Sequence, residues 1–239
     1  MSAVVVGSGL IARAFAPYRA ALGDACVYAA GVSNSACTDA REFERERERM
    51  LAALDETKPA TLFVYFSTCS IADPAAQGSG YVRHKLAMER LVARRARQVV
   101  FRLPQLAGHT PNPHTLLNYL HARIVRSERF TVWRDAQRNI IDVDDVARIA
   151  ADLIANEDVA GETINIACTR NCTIFEIVQC LQDVLGHRAL FDIIESGAGY
   201  PIVTERIRAA LERCAITFPA DYLQRTLSKY YGQHDLRAS

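Results

Sequence analysis

Short apolar runs alternate with stretches of helical period through the first two thirds of the chain. Residues 3–6 predict a strand and 10–22 a helix; 26–30 predict a strand and 38–54 a highly charged helix. Residues 61–66 and 98–102 predict two more strands, with a helix over 79–95 between them. Such alternation implies parallel strands joined by crossover helices, hence a layered α/β sheet. Beyond Pro104 the pattern turns loop-rich around Gly108, then predicts a helix over 114–125 and short strands over 130–133 and 139–143. A helix over 144–155 starts with Asp144 and Asp145, which suit the positive end of the helix dipole. Residues 163–167 predict the strand that closes the main sheet, and the remainder reads as mostly helical.

Composition narrows this. The 239 residues are 50% hydrophobic and 23% charged, which excludes a disordered chain and suits one domain with a small appended lobe. A net charge of +1 gives no field that would gather nucleic acid or an anionic membrane. The longest apolar stretches, such as 62–66, fall far short of the roughly 20 residues that cross a bilayer, and no basic leader precedes the first strand. A soluble, cytoplasmic protein without membrane or nucleic-acid partners is expected. The seven cysteines are scattered, and the Cys168–Cys172 pair lacks the second pair of a zinc site, so reduced thiols and no metal are expected. The run 41–49 alternates Arg and Glu and reads as a solvated helix face, with a dimer-facing helix as the other option.

Three features carry chemistry. Gly7-Ser8-Gly9-Leu10-Ile11-Ala12 follows the first strand and opens the first helix, where glycines let the backbone approach a pyrophosphate and helical amides receive it. An acid usually follows about 20 residues later to hold the adenosine ribose. Here the chain reads Cys26-Val-Tyr-Ala-Ala-Gly-Val-Ser-Asn34 instead. Either this is a second strand with Ser33, Asn34 or Arg41 around a 2′-phosphate, or it is a later strand and a β-α-β segment is absent. The second feature is Tyr81 and Lys85, one helical turn apart on the same face. Nine tyrosines and three lysines would give Tyr-x-x-x-Lys by chance only about 0.1 times. The third is Thr68 at the end of the preceding strand, a hydroxyl able to bond the oxygen that Tyr81 serves. A lysine ammonium beside a phenol lowers the phenol pKa and favours a phenolate, which can take a proton from a substrate hydroxyl.

With these residues the chain resembles the extended short-chain dehydrogenase/reductase family of NAD(P)-dependent nucleotide-sugar epimerases, dehydratases and ketoreductases. Gly7 to Ala12 is similar to the cofactor glycine motif, and Val27 to Asn34 to the family's fourth strand and its small-residue turn. Phe66-Ser-Thr-Cys-Ser-Ile71 with Tyr81 and Lys85 looks like the catalytic segment. Arg102-Leu-Pro-Gln-Leu-Ala-Gly108 is similar to the stretch whose proline lies by the nicotinamide. Arg138-Asn-Ile-Ile-Asp-Val-Asp-Asp145 resembles the stretch whose arginine binds the nucleotide-sugar diphosphate, and 161–167 resembles the closing strand. The resemblance implies a Rossmann-type parallel sheet with flanking helices and a small, mainly helical C-terminal substrate lobe. It assigns 1–107 and 139–170 to the NAD(P)-binding part, and 108–138 and 171–239 to the lobe. Thr68, Tyr81 and Lys85 would be catalytic; Gly7, Gly9, Leu10, Ile11, Ala30, Gly31, Lys85 and Pro104 would hold NAD or NADP; Arg138 and Asn118 would meet a nucleotide-linked sugar. With Val27 to Asn34 as the fourth strand, the chain departs from the family in lacking the second and third strands, and it places Cys69-Ser70 where 4,6-dehydratases carry an Asp-Glu pair. An epimerase or ketoreductase, rather than a dehydratase, is therefore the expectation, with a homodimer as an option and bacterial surface-polysaccharide synthesis as the implied setting. The competing expectation is a non-catalytic Rossmann-fold binding or regulatory protein with a reduced cofactor pocket.

Overall fold

The computed structural model of the protein describes residues 3–232. The chain opens with β1 (Val4–Val6), α1 (Leu10–Ala14), β2 (Cys26–Tyr28), α2 (Ala40–Glu56), β3 (Phe63–Thr68), α3 (Gly80–Val92), β4 (Gln98–Leu103) and β5 (Gln105–Ala107). It continues through α4 (Leu116–Val125), β6 (Phe130–Trp133), β7 (Gln137–Arg138), β8 (Ile140–Asp142), α5 (Val143–Asn156) and β9 (Thr163–Asn165). Last come β10 (Cys172–Thr173), α6 (Ile174–Leu185), β11 (Phe191–Ile194), α7 (Arg208–Arg213) and α8 (Tyr222–Tyr231).

β1, β2, β3, β4 and β9 form a parallel sheet in that order. A second Rossmann strand lies outside β1, on the side away from the rest of the sheet. β2 instead sits between β1 and β3, with Cys26 level with both Val4 and Phe63. That order matches the reading in which the intervening β-α-β segment is absent, and it leaves β1 as an edge strand with Val4 59% exposed.

A parallel sheet needs cover on both faces, so its central strands are apolar throughout. All six residues of β3 are buried. Val64 and Phe66 face a core shared with Phe15, Val146, Ile149 and Leu153, while Phe63 and Tyr65 face Met50, Ala53, Met88 and Val92. α1 and α5 thus cover one face, and α2 and α3 the other. α1 ends at Ala14 rather than reaching residue 22. Pro17 has no N–H to bond the preceding turn and disfavours helical backbone at Ala16, so the chain tightens into a 3₁₀ turn at Ala16–Tyr18.

A separate core joins α4, β6, α6 and α8 through Leu117, Leu120, Ile124, Phe130, Ile177, Leu181 and Leu227. α8 is fastened to the start of α5: Tyr222 donates to Asp145 (2.7 Å) and Lys229 to Asp142 (2.8 Å) and Asp144 (2.7 Å). Within the stretch assigned to the lobe, Ile207, Ala210 and Cys214 pack against the sheet core rather than the second one. Four short strands, β5, β7, β10 and β11, lie where the sequence predicts none, and β7 pairs with β10. β5 pairs with β8, because Pro104 takes the chain off the end of β4, and β11 pairs with β6. No helix among the described residues is long and apolar enough to cross a membrane.

The turn after β1 has no room to spare. Gly7 has φ +122°, and a Cβ there would lie 2.5 Å from the Ala29 carbonyl oxygen. Gly7→Ala is therefore expected to lower the unfolding free energy by about 1–3 kcal/mol in urea denaturation. Gly9, at φ −74° with nothing within 4 Å of a Cβ, should tolerate alanine at a loss of about 1 kcal/mol or less. Equal losses at the two positions would remove the tight β1–β2 approach as the cause.

Candidate active site

Helices that leave neighbouring strands toward opposite faces open a crevice at the carboxyl end of a parallel sheet. α1 and α2 do this here, after β1 and β2. The crevice is a cavity of about 610 Å³ whose lining includes Ser8, Gly9, Leu10, Ile11, Gly31, Thr68, Tyr81, Lys85 and Pro104. Of the residues expected to hold a dinucleotide, Gly9, Leu10, Ile11, Gly31, Lys85 and Pro104 thus meet in one place. Gly7 is spent on packing against Ala29. Ala30 and Gly31 line an adjoining cavity of about 600 Å³ against α2. Arg13 also faces the crevice, its guanidinium bonded to the carbonyls of Ser8 (3.1 Å) and His109 (2.7 Å). It places a positive charge beside the glycine turn, which the glycine pattern alone does not reveal.

Thr68 ends β3 and Tyr81 lies in the first turn of α3, which Ser79 caps by accepting from the Val82 amide (3.1 Å). That cap fixes where α3 begins and so aims Tyr81 at the strand end. The Thr68 hydroxyl hydrogen-bonds the Tyr81 phenol. Its neighbour Ser67 is buried, lines the cavity and has no hydrogen-bond partner among the described residues. Buried hydroxyls are normally satisfied, so Ser67 holds unused bonding capacity toward the crevice.

Beneath Tyr81 lies a charged cluster absent from the sequence reading. The Lys85 ammonium donates to Glu46 Oε1 (3.2 Å) and to the Tyr65 hydroxyl (3.2 Å), and Tyr65 in turn donates to the same Glu46 oxygen (3.1 Å). Glu46 Oε2 accepts from the Val32 amide (2.6 Å) and pairs with His84 Nε2 (2.9 Å). The side chains of Lys85 and Glu46 are 3% and 1% exposed. Burial pushes the Glu46 carboxyl up, but the His84 hydrogen bond, the Lys85 charge and the Val32 amide outweigh it and hold the group at about 2. Burial lowers the Lys85 pKa, and Glu46 opposes that.

This cluster corrects one electrostatic expectation. Lys85 does not depress the Tyr81 pKa: burial pushes the phenol up, the Thr68 hydrogen bond offsets only part, and Glu46 raises it further. The ammonium lies 5.8 Å from the Tyr81 ring centroid with its charge already matched by Glu46. In this arrangement Tyr81 is a protonated phenol, a proton donor before it is an acceptor.

Neither of the two residues expected at the sugar lines this cavity. Asn118 stands outside the cavity lining and clamps the 109–115 loop, donating to the carbonyls of Thr110 and Asn112 (both 2.8 Å) and accepting from Tyr231 (2.8 Å). Arg138 donates to the Gln137 carbonyl (2.7 Å), rather than to Asp135 or Asp142, and is also outside the lining. Tyr200 connects these regions: it hydrogen-bonds Ser70 and lies in the electrostatic reach of both Tyr81 and Arg138. Cys69 donates to the Arg102 carbonyl (3.3 Å), and burial pushes its thiol up to about 12, which leaves no nucleophilic thiolate. Glu46 had a signal in the sequence. It shares one helical stripe with the buried Met50 and Ala53, whereas its charged neighbours in the Arg/Glu run point to solvent.

The NAD dependent epimerase/dehydratase family model matches residues 24–167. No curated protein sequence matches the chain. Among solved structures, UDP-glucuronic acid 4-epimerase from Bacillus cereus, in complex with UDP-glucuronic acid and NAD, aligns with a TM-score of 0.67 at 18% identity, over 89% of this chain and 76% of its own. RMD from Pseudomonas aeruginosa, complexed with NADPH, aligns at 0.71 and 18% identity, over 96% and 99%. dTDP-glucose 4,6-dehydratase from Bacillus anthracis, in complex with NAD, aligns at 0.63 and 16%, over 79% and 67%. At these identities the likeness establishes a shared fold.

Two stability measurements test the buried cluster. A carboxyl held at about 2 in the fold, against about 4.3 in an unfolded chain, stabilises fully above the higher value, and the gain is lost as pH falls toward the lower one. Urea unfolding between pH 7 and pH 3 is expected to show this loss, and Glu46→Gln to show less of it. Lys85→Met strands a buried carboxylate and is expected to cost about 3–5 kcal/mol. The Glu46→Leu/Lys85→Met double variant should cost less than Lys85→Met alone; a double variant at least as damaged would refute the pairing.

Proposed function

Since the chain belongs to the NAD dependent epimerase/dehydratase family, of which it is a shortened member, we propose that it is an NAD(P)-dependent epimerase or ketoreductase acting on a nucleotide-linked sugar. The observation that carries this reading is the meeting of Thr68, Tyr81 and Lys85 with Gly9, Leu10, Ile11 and Pro104 around one cavity. The relatives of known structure bind NAD or NADPH, and one of them UDP-glucuronic acid. The residues present fit a dinucleotide. Gly9 leaves open space at the turn, the first amides of α1 have no partner within the helix, Arg13 adds positive charge, and Ser67 is a buried hydroxyl without a partner among the described residues.

In this reading the glycine turn and Arg13 hold the pyrophosphate, and Lys85, Ser67 and Pro104 face the nicotinamide half. The nicotinamide, when bound, supplies hydride exchange with the sugar carbon. The chain's own residues manage the proton and the geometry. Thr68 and Tyr81 hydrogen-bond the reacting oxygen of the sugar from two sides, and Tyr81 gives or takes its proton. Lys85 has two of its three N–H groups on Glu46 and Tyr65, which leaves the third for a ribose hydroxyl. Cys69 and Ser70 supply no carboxylate after Thr68, so elimination of water lacks its acid/base pair and dehydratase chemistry is disfavoured. Tyr200 couples electrostatically to both Tyr81 and Arg138, and an arginine suits a diphosphate, which supports Arg138 as the group that meets the sugar diphosphate.

The division into a cofactor part and a substrate lobe over 108–138 and 171–239 is part of the same proposal. The separate core of α4, β6, α6 and α8 supports it, and the packing of 207–216 on the sheet marks an exception; residues 1–2 and 233–239 lie outside the described ones. The cytoplasmic location, the homodimer and the role in bacterial surface-polysaccharide synthesis rest on the family resemblance.

Titration with NADH and NADPH, read by nicotinamide fluorescence, tests the cofactor. Micromolar binding is expected in the wild type and none in Gly9→Asp, whose carboxylate would face the pyrophosphate without disturbing the fold. Tyr81→Phe is expected to keep binding while losing about 10²–10⁴ of the turnover found with UDP-glucuronic acid, UDP-N-acetylglucosamine or dTDP-glucose. A folded wild type that binds neither cofactor would overturn the oxidoreductase reading in favour of a non-catalytic binding protein.

A further inference from the structure

We propose that Glu46 is a positioning residue of the active site: its carboxylate fixes where the Lys85 ammonium sits and cancels that ammonium's charge at the Tyr81 phenol. The inference rests on the reading of Tyr81 as the proton-transfer group.

Four donors converge on this one carboxylate: Lys85 and Tyr65 on Oε1, Val32 and His84 on Oε2. A carboxylate offers about four lone-pair sites, so Glu46 has none left for a substrate or a proton in transit. It is also absent from the crevice lining, to which Lys85 belongs, which separates it from the groups that touch ligand. What remains for it is to act through Lys85. The backbone at the end of β2 closes over the pair: a Cβ on Gly31 would lie 2.6 Å from the Lys85 nitrogen and 2.9 Å from Glu46 Oε1. Gly31 thus lets the chain pass directly across the ion pair, between the two neighbouring cavities. The aromatic face of Phe43 stacks on His84 at 4.6 Å and keeps that imidazole against Glu46 Oε2.

The electrostatic consequence follows from which groups face Tyr81. From β3 come Thr68 and Tyr65, from the turn after it Cys69, from the 195–204 segment Tyr200, from α2 Glu46, and from α3 Lys85. Glu89, which acts on Tyr65 and Lys85, and Arg102, which acts on Cys69, neutralise each other through paired contacts of 2.9 and 2.7 Å. Tyr81 therefore senses Lys85 and Glu46 as a buried pair, and a pair's field falls off far faster than that of a lone cation. Taking the charge from Glu46 while keeping its shape would leave the phenol beside an uncompensated ammonium over the pH range in which Lys85, its proton no longer held by Glu46, stays charged. The pH range over which Tyr81 can exchange its proton is in this way set from α2, a helix that contributes nothing to the crevice surface at Lys85.

The experiment is NMR titration of protein carrying ¹³Cζ-labelled tyrosine, with the Tyr81 signal assigned by its loss in Tyr81→Phe. In the wild type the Tyr81 signal is expected to stay that of the phenol up to the alkaline limit of folding. In Glu46→Gln a Tyr81 titration step should appear below that limit, a downward shift of about one pH unit or more, and in Glu46→Gln/Lys85→Met the step should again lie above it. A purely structural role for Glu46 would shift stability and leave these midpoints alone. A Tyr81 signal that stays that of the phenol up to that limit in Glu46→Gln, or an equal shift in the single and double variants, overturns the inference. Should Glu46→Gln fail to fold, Glu46→Asp, which draws the charge away from Lys85, decides the matter by whether the midpoint falls. NADH titration of the same samples separates the two readings: loss of cofactor binding in the wild type defeats the proposed function, whereas a fixed Tyr81 midpoint defeats the role of Glu46.

Discussion

An ammonium removed from water must find a counter-charge and enough hydrogen-bond acceptors, and the site is organised around meeting that demand at Lys85. Glu46 meets it, and the same carboxylate binds a backbone amide after β2, a tyrosine on β3 and a histidine on α3. Four elements that approach one another from different parts of the chain are thereby fixed by one group. Desolvation makes such a pair a poor source of net stability, since an apolar pair of similar size would do as well or better. Its value lies in holding the lysine where the cavity floor, the end of β3 and the first turn of α3 converge.

The shortened sheet explains why the crevice survives at all. A ligand cleft in an open parallel sheet needs two neighbouring strands whose helices depart to opposite faces. Joining β1 directly to β2 preserves that condition, since α1 lies with α5 on one face and α2 with α3 on the other. The tight packing of Gly7 on Ala29 is the local price of bringing those two strand ends together. The cleft is bounded there not by further strands but by the loop after β2 and by the 109–115 loop, joined where Asn112 donates to Ser33 (3.0 Å).

The parts of this arrangement that were legible in the sequence are those encoded within a few residues. The glycine turn follows a strand, Tyr81 and Lys85 share a helix face, and the alternation of strands and helices spells the parallel sheet. Pro17 carried the signal that ends α1 early. What escaped depends on contacts between distant segments. Asn118 looks like a polar residue facing a ligand until α8 and the 109–115 loop are seen to consume its amide. Lys85 looks like a free cation beside a phenol until α2 brings Glu46 under it. A run of alternating charges hides its one buried member, because burial is decided by the helix face and not by the neighbours in sequence.

The strand order also bears on how the protein is made. β1 pairs with β2, β2 with β3 and β3 with β4, so every strand up to Leu103 finds its partner in the segment synthesised just before or after it. Contacts of short sequence separation close quickly and at little entropic cost. The first four strands can therefore assemble in order as they leave the ribosome, while Val100 waits for Thr163 to bring β9 alongside and complete the sheet.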